Sequence, residues 1–324
     1  MVDLVERLNA LLKQDRNCYR AKDYLSSGFQ QKLQSSTRQK LKPLSGKRSF
    51  SDASTTTTTT TTTTNINETW REKICEWSYQ VADHFDFSRE VVSISISFLD
   101  RYLSARLVDK KEFQLVAMTS LYLAIKLYEP TALSMQSMIE LSRGYFTVDQ
   151  MATMEMAILK VLSWHVHPAT SVCLARHFLQ LLPSHLDVSI KHDIIELTRF
   201  LTELAVIDYF FVPKSTSFLS LSAILHAMQN LHLDNYIPDF LEQLKLLDNF
   251  NPYSNEVEEC GVRLKQLYYL QGGYACGQIP QEEESEENDT RDETVSPICV
   301  SAFDKSTATT ASIRRDINYI SYNK

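Results

Sequence analysis

Glu90-Val-Val-Ser-Ile-Ser-Ile-Ser-Phe-Leu-Asp-Arg-Tyr-Leu103 is the stretch on which the fold class turns. From Val92 to Phe98 apolar and polar residues alternate, the period-two signature of a half-buried strand. Over a longer window Val92, Ile96, Leu99 and Leu103 form a continuous helical face, and length and neighbours favour the helix. Working outward, apolar periodicity runs from about residue 68 to about residue 270. Pro130, Pro168, Pro183, Pro213, Pro238 and Pro252 fall between the patterned segments. Those segments are about 10 to 25 residues long and rich in Leu, Ala, Met, Gln and Glu, all good helix formers. The expected fold class is therefore all-α.

A displacement of 103 residues places Val91 on Ile194, Thr119-Ser120-Leu121 on Ser222-Ala223-Ile224, and Ala124 on Ala227. Two homologous helical units of about 100 residues would produce this faint repeat. Chance alignment of two amphipathic helices would produce it nearly as well.

Composition removes several function classes. Only 7 of 324 residues are glycine, about 2% against a usual share of about 7%. Glycine-rich phosphate loops have almost no raw material, which argues against dinucleotide and P-loop enzymes. The net charge of −7 argues against nonspecific nucleic-acid binding. That charge is local: Gln281 to Thr294 holds eight acids and one base, and the rest of the chain sums to zero. Six cysteines, Cys18, Cys75, Cys173, Cys260, Cys276 and Cys299, include no CxxC pair, so reduced thiols are expected rather than a disulfide frame or zinc site. His165-x-His167 lacks an evident third ligand, so no metal is expected. No cofactor is expected either. Met1 to Arg7 has neither a basic n-region nor a cleavage site, and no stretch approaches 18 uncharged apolar residues, so neither a signal peptide nor a membrane span is expected.

The flanks read differently from the middle. Residues 1–17 are an amphipathic helix candidate with Leu4, Leu8, Leu11 and Leu12 on one face. Residues 24–51 hold six bases and no acid, and ten threonines follow from Thr55 to Thr64. A run of this kind can bury little and reads as a disordered spacer. The organisation expected is an N-terminal helical segment at 1–25, a disordered basic and poly-Thr linker at 26–66, helical units at 67–166 and 167–271, and a disordered acidic tail at 272–324.

Five ordered blocks carry a family resemblance: Trp70-Arg-Glu-Lys-Ile-Cys-Glu-Trp77, Phe98-Leu-Asp-Arg-Tyr-Leu103, Gln114-Leu-Val, Leu123-Ala-Ile-Lys126, and Met154-Glu155 with Leu159-Lys-Val-Leu-Ser-Trp164. Together they resemble the cyclin box, with 29 positions from Arg71 to Asp100 and again from Lys126 to Glu155. The resemblance covers 67–166 strongly and 167–271 by helix pattern and size. With Asn17-Cys-Tyr-Arg20 and Asp23-Tyr-Leu25 included, the chain looks most like the cyclins of diatoms. Arg71-Glu-Lys73 adds a D-type likeness, although the Leu-x-Cys-x-Glu motif of that group is missing.

The resemblance implies two tandem five-helix cyclin folds and a non-catalytic subunit that binds and activates a cyclin-dependent protein kinase in the cell cycle. It implies that Arg71 and Asp100 form a buried structural ion pair. Lys126 and Glu155 would be the couple that hydrogen-bonds the kinase backbone beside its regulatory helix. Trp70, Ile74, Trp77 and Gln114 would line a docking groove for substrates or inhibitors with Arg-x-Leu motifs. Trp70 stands where methionine is usual and Lys73 where an apolar residue is common, which puts the groove's shape and partner in question.

In the flanks, Arg38 and Leu41 resemble the core of a destruction box, and Ser296 before Pro297 fits a proline-directed phosphosite. Lys40, Lys42, Lys47 and Arg48 fit a nuclear import signal or a solvated basic linker, with nucleus and cytoplasm as the expected locations. The alternatives are a transcription-associated cyclin, or a general transcription factor of cyclin fold. The latter would need a basic face, and 67–271 shows no basic excess.

Overall fold

The computed structural model describes residues 2–40, 66–131, 133–183 and 186–271. Among the described residues the chain forms twelve α-helices and no strand. Two helices lie N-terminal, α1 (Val2–Asn17) and α2 (Ser27–Lys40). The first unit comprises α3 (Glu68–His84), α4 (Glu90–Leu103), α5 (Lys110–Tyr128), α6 (Met135–Leu141) and α7 (Val148–Val161). The second comprises α8 (Ser171–Phe178), α9 (Val188–Ile207), α10 (Thr216–Asn230), α11 (Ile237–Leu244) and α12 (Asn255–Leu270).

The alternating stretch is helix α4, and its serines show how. Ser93 Oγ donates to the Glu90 carbonyl and Ser95 Oγ to the Val92 carbonyl, both at 2.8 Å. Each hydroxyl bonds within its own helix, so a buried serine such as Ser95 is satisfied without a strand partner. The polar half of the alternation therefore carries no sheet information.

Helix α5 is apolar almost all round, with an unbroken buried run from Val116 to Ile125. Such a helix must sit at the centre of its unit. Asp109 caps it, accepting from the Glu112 N–H at 2.7 Å. In the second unit α10 holds the equivalent place. The positions matched by the 103-residue displacement are buried in both units: Val91 and Ile194, Leu121 and Ile224, Ala124 and Ala227. The first core gathers Phe98, Phe113, Leu121, Ile125 and Ile158, and the second gathers Phe178, Leu221, Phe240 and Leu264.

The second core also takes Leu8 and Leu12 from α1, both essentially buried. Burying each stabilises the fold by about 1.5–3 kcal/mol. The apolar face of the N-terminal segment is thus a piece of the distant unit.

One expectation is corrected. Residues 27–40, read as the start of the disordered linker, form α2. Gln, Lys and Leu supply helix propensity there, and Phe29 packs against the first core with Lys22 Nζ 5.8 Å from its ring centroid. Arg38 lies in the last turn of α2. Leu41, the remaining import-signal residues, the poly-Thr run, the acidic block and Ser296 lie outside the described residues.

Candidate functional site

Lys126 stands in the last turn of α5 and Glu155 midway along α7. The start of α7 is set by a capping box, in which Thr147 and Gln150 satisfy each other's backbone N–H. The packing of α7 on α5 brings Lys126 Nζ to 2.9 Å from Glu155 Oε1. The Lys126 side chain is 49% exposed and that of Glu155 13%. The hydrogen bond to Glu155 lifts the Lys126 ammonium above its ordinary range, and Nζ also lies 5.7 Å from the Tyr122 ring centroid. Leu127 and Met156, next in sequence to the two partners, are both exposed. An ion pair this open contributes about 0–1 kcal/mol to stability. Chemically it offers ammonium donors beside a half-buried carboxylate, flanked by apolar side chains. That combination can hold the backbone of a segment laid across it.

Arg71 and Asp100 meet in the interior as a bidentate pair, Nε to Oδ1 and Nη2 to Oδ2, each 2.9 Å. The pair joins four parts of the chain. Arg71 Nη1 donates to the carbonyls of Val206 and Ile207, at 2.8 and 3.0 Å, at the C-terminal end of α9. A cation there also complements the helix dipole. Tyr24 Oη donates to Asp100 Oδ1 at 2.8 Å. Burial opposes the Arg71 charge, but Asp100 and its neighbours more than offset this, and Arg71 is held firmly protonated. Burial raises the Tyr24 phenol, with Asp100 adding to it, and pushes the neighbouring Cys75 thiol up to about 12. Removing one partner of such a pair strands a buried charge, at a cost of about 3–5 kcal/mol.

The aromatic stripe is divided. Ile74 and Trp77 are buried in the first core, while Trp70 keeps a partly exposed ring. Trp70 packs edge-on against Phe113, centroids 6.4 Å apart, and Lys110 Nζ lies 4.9 Å from its ring centroid. Gln114 follows Phe113 on α5 and is half-buried; Lys73 is exposed. The structure thus brings Trp70 and Phe113 together under a lysine and turns the rest of the stripe inward.

His165 and His167 serve the linker between the units. Tyr128 Oη bonds the Val166 carbonyl at 2.9 Å and His167 Nδ1 at 2.8 Å. Among the described residues no group of three His, Cys, Asp or Glu could hold a metal ion, and no helix is long and apolar enough to cross a membrane.

Residues 18–25, expected to belong to an N-terminal helical segment, leave the helix after Asn17 and form, with Ser26, a non-helical strap; sequence reading missed the buried acid that precedes it. Asp15 accepts from Ser215 Oγ at 2.6 Å, Thr216 N at 3.2 Å and Ser217 N at 3.0 Å, which caps the central helix α10. Arg20 forks onto the Pro213 carbonyl at 3.0 and 2.8 Å. Leu4, Leu8, Leu11 and Leu12 announced an apolar face, but nothing local announced what received it.

Comparison with known proteins supports the same architecture. Residues 47–167 match the family model described as the cyclin N-terminal domain. Cyclin-A1-2 of Arabidopsis thaliana is 25% identical over 205 residues, covering 63% of this chain and 45% of that protein. Cyclin-B2-2 of the same plant is 27% identical over 209 residues, covering 64% and 46%.

Residues 47–167 thus match a cyclin domain, and the chain is similar to A- and B-type cyclins.

The chain spans a little under half the length of these two cyclins. A viral cyclin from herpesvirus saimiri shares the fold, with a TM-score of 0.52 at 18% identity over 63% of this chain and 88% of that one. Both plant relatives are A- or B-type cyclins, whereas the diatom and D-type likeness rests on residues 17–25 and 71–73.

Proposed function

We propose that this chain is a cyclin, a non-catalytic regulatory subunit that binds and activates a cyclin-dependent protein kinase in cell-cycle control. The observation that carries the reading is the Lys126–Glu155 pair, a preset donor–acceptor couple on an exposed surface where it adds little to stability. Laid against the kinase, the couple would clamp the segment beside the regulatory helix. The helix glutamate would then meet the ATP-site lysine and complete the phosphoryl-transfer site. The cyclin contributes differential affinity for the active kinase conformation and carries out no chemical step.

The test uses purified cyclin-dependent kinases, each mixed with wild type or with Lys126→Ala/Glu155→Ala, with histone phosphorylation as the readout. Stimulation by wild type that vanishes in the double variant is expected. Equal stimulation by both proteins would overturn the reading.

Substrate choice belongs to the same proposal. Trp70, with Ile74, Trp77 and Gln114 behind or beside it, would receive Arg-x-Leu substrates or inhibitors. Trp70→Ala should then reduce phosphorylation of such a substrate while leaving histone phosphorylation unchanged. In the flanks, Ser296 would be a phosphosite, and Arg38 with Leu41 would mark the chain for turnover. The protein would work in nucleus and cytoplasm, without a nucleic-acid or membrane partner.

A further inference from the structure

Arg101 follows Asp100 on α4, and the structure gives it a different set of partners. It is 7% exposed and has no carboxylate partner among the described residues. Its guanidinium carbon lies 4.7 Å from the centroid of the Tyr19 ring, which belongs to the N-terminal strap. Nη1 donates to the His165 carbonyl at 2.9 Å, in the linker between the cyclin folds. Tyr19 also meets the His165 ring edge-on, with centroids 6.0 Å apart. The next linker carbonyl, Val166, is held by Tyr128 Oη, two residues beyond Lys126. Two consecutive linker carbonyls are thus held by two different helices, one by Arg101 of α4 and one by Tyr128 at the end of α5.

The backbone here needs such support. Ser163 and Trp164 both adopt left-handed conformations, φ 51° and 61°, which strain a residue with a β-carbon. A linker entered through two such residues keeps its course only if its surroundings fix it. Burial draws the Arg101 guanidinium down to about 10, and the Tyr19 π face with the His165 carbonyl is what keeps the charge tolerable there. Without the Tyr19 ring, the guanidinium gains a route to solvent and loosens its hold on His165.

We infer that Tyr19 and Arg101 are positioning residues for the kinase contact: the strap's ring holds the guanidinium that fixes the linker against which the end of α5, and so Lys126, is set. This inference rests on the regulatory-subunit reading and adds the N-terminal strap to it. The contacts of the strap's ring are with Arg101 and His165, so its influence on Lys126 travels through Arg101, the linker and Tyr128.

The experiment is a double-mutant cycle on the full chain with a purified cyclin-dependent kinase that wild type activates. Affinity is measured for wild type, Tyr19→Ala, Lys126→Ala and the double variant, with amide hydrogen exchange followed at residues 165–167. Tyr19→Ala should weaken kinase binding about fivefold, within the range of coupling inside one contact network. It should speed exchange at the linker amides, and Tyr19→Phe, which keeps the ring, should restore both. In the Lys126→Ala background the Tyr19 effect should disappear, which a merely structural loss would not do.

Wild-type affinity for Tyr19→Ala, unchanged linker exchange, or losses that simply multiply in the double variant would each overturn the inference. If wild type binds none of the kinases, the regulatory-subunit reading falls and this inference with it. Faster linker exchange in Tyr19→Ala would then still show that the strap orders the linker.

Discussion

The two cyclin folds have the same helix order and are held together in different ways. The first builds its core almost wholly from residues 66–166 and places a buried ion pair at its edge, facing the second. The second borrows: α1 supplies Leu8 and Leu12 to its core, and Asp15 caps its central helix. The first fold takes only a few apolar residues from outside, among them Tyr24, Phe29 and Val212, and also exports polar contacts. The second is incomplete until a segment more than 150 residues upstream is in place. One architecture, repeated, need not have one distribution of stability.

The sharpest way to break this comparison is at the junction that both folds share. Arg71→Ala leaves Asp100 buried and uncompensated and frees the α9 carbonyls. It should cost about 3–5 kcal/mol by denaturant titration. Arg71→Lys should recover only part of that, because an ammonium cannot reproduce the bidentate fork. Equal stability of wild type and Arg71→Ala would show that the junction holds nothing.

Next in size is Leu12→Ala, expected to cost about 2–5 kcal/mol and to loosen the second fold selectively. Hydrogen exchange should rise in α10 and α12 before α5; a uniform rise would mean that the two folds open as one unit. Asp15→Ala should act in the same direction by about 1–2 kcal/mol, through the lost cap on α10. Lys126→Ala should change stability by less than about 1 kcal/mol while abolishing kinase stimulation, and a large stability loss would make the pair structural.

The smallest effect is chemical. Burial pushes Cys75 in the first fold and Cys260 in the second up to about 12, whereas Cys18 in the strap is exposed. At pH 8 an alkylating reagent should modify Cys18 in the native protein and reach Cys75 and Cys260 only through opening. In Leu12→Ala, Cys260 should become reactive before Cys75. The raised thiols also give stability a pH slope. Above the ordinary thiol value of 9.0 the unfolded chain releases protons that the folded chain retains, so stability falls as pH rises toward about 12. Replacing both cysteines with alanine should reduce that slope, most visibly between about pH 9 and 10, below the range where the buried tyrosines Tyr24 and Tyr79 add to it.

Much of the first fold could be read locally. The blocks from Trp70 to Trp164 carry their own spacing, and the 29-residue intervals join residues that do meet, Arg71 with Asp100 and Lys126 with Glu155. Helical periodicity, proline placement and helix-forming composition sufficed for an all-α chain, because those signals act within one helix turn or one boundary. The stripe Trp70, Ile74 and Trp77 could be placed on one face, but not its degree of burial, which depends on how α5 and the rest of the core pack against it. Helix α2 was illegible because its sequence is largely polar and its placement depends on packing of Phe29 against a distant core.

What the sequence determined by itself was the helices of the two units, their order and the residue types at the Lys126–Glu155 site. What only the tertiary structure decided was the wiring between distant segments: Asp15 on α10, Arg71 on the end of α9, Tyr19 on Arg101 and the linker. The physical reason is range. Propensity and amphipathic period are properties of neighbours in the chain. A buried charge or an orphan carbonyl instead specifies only that a partner must exist, not which distant residue supplies it.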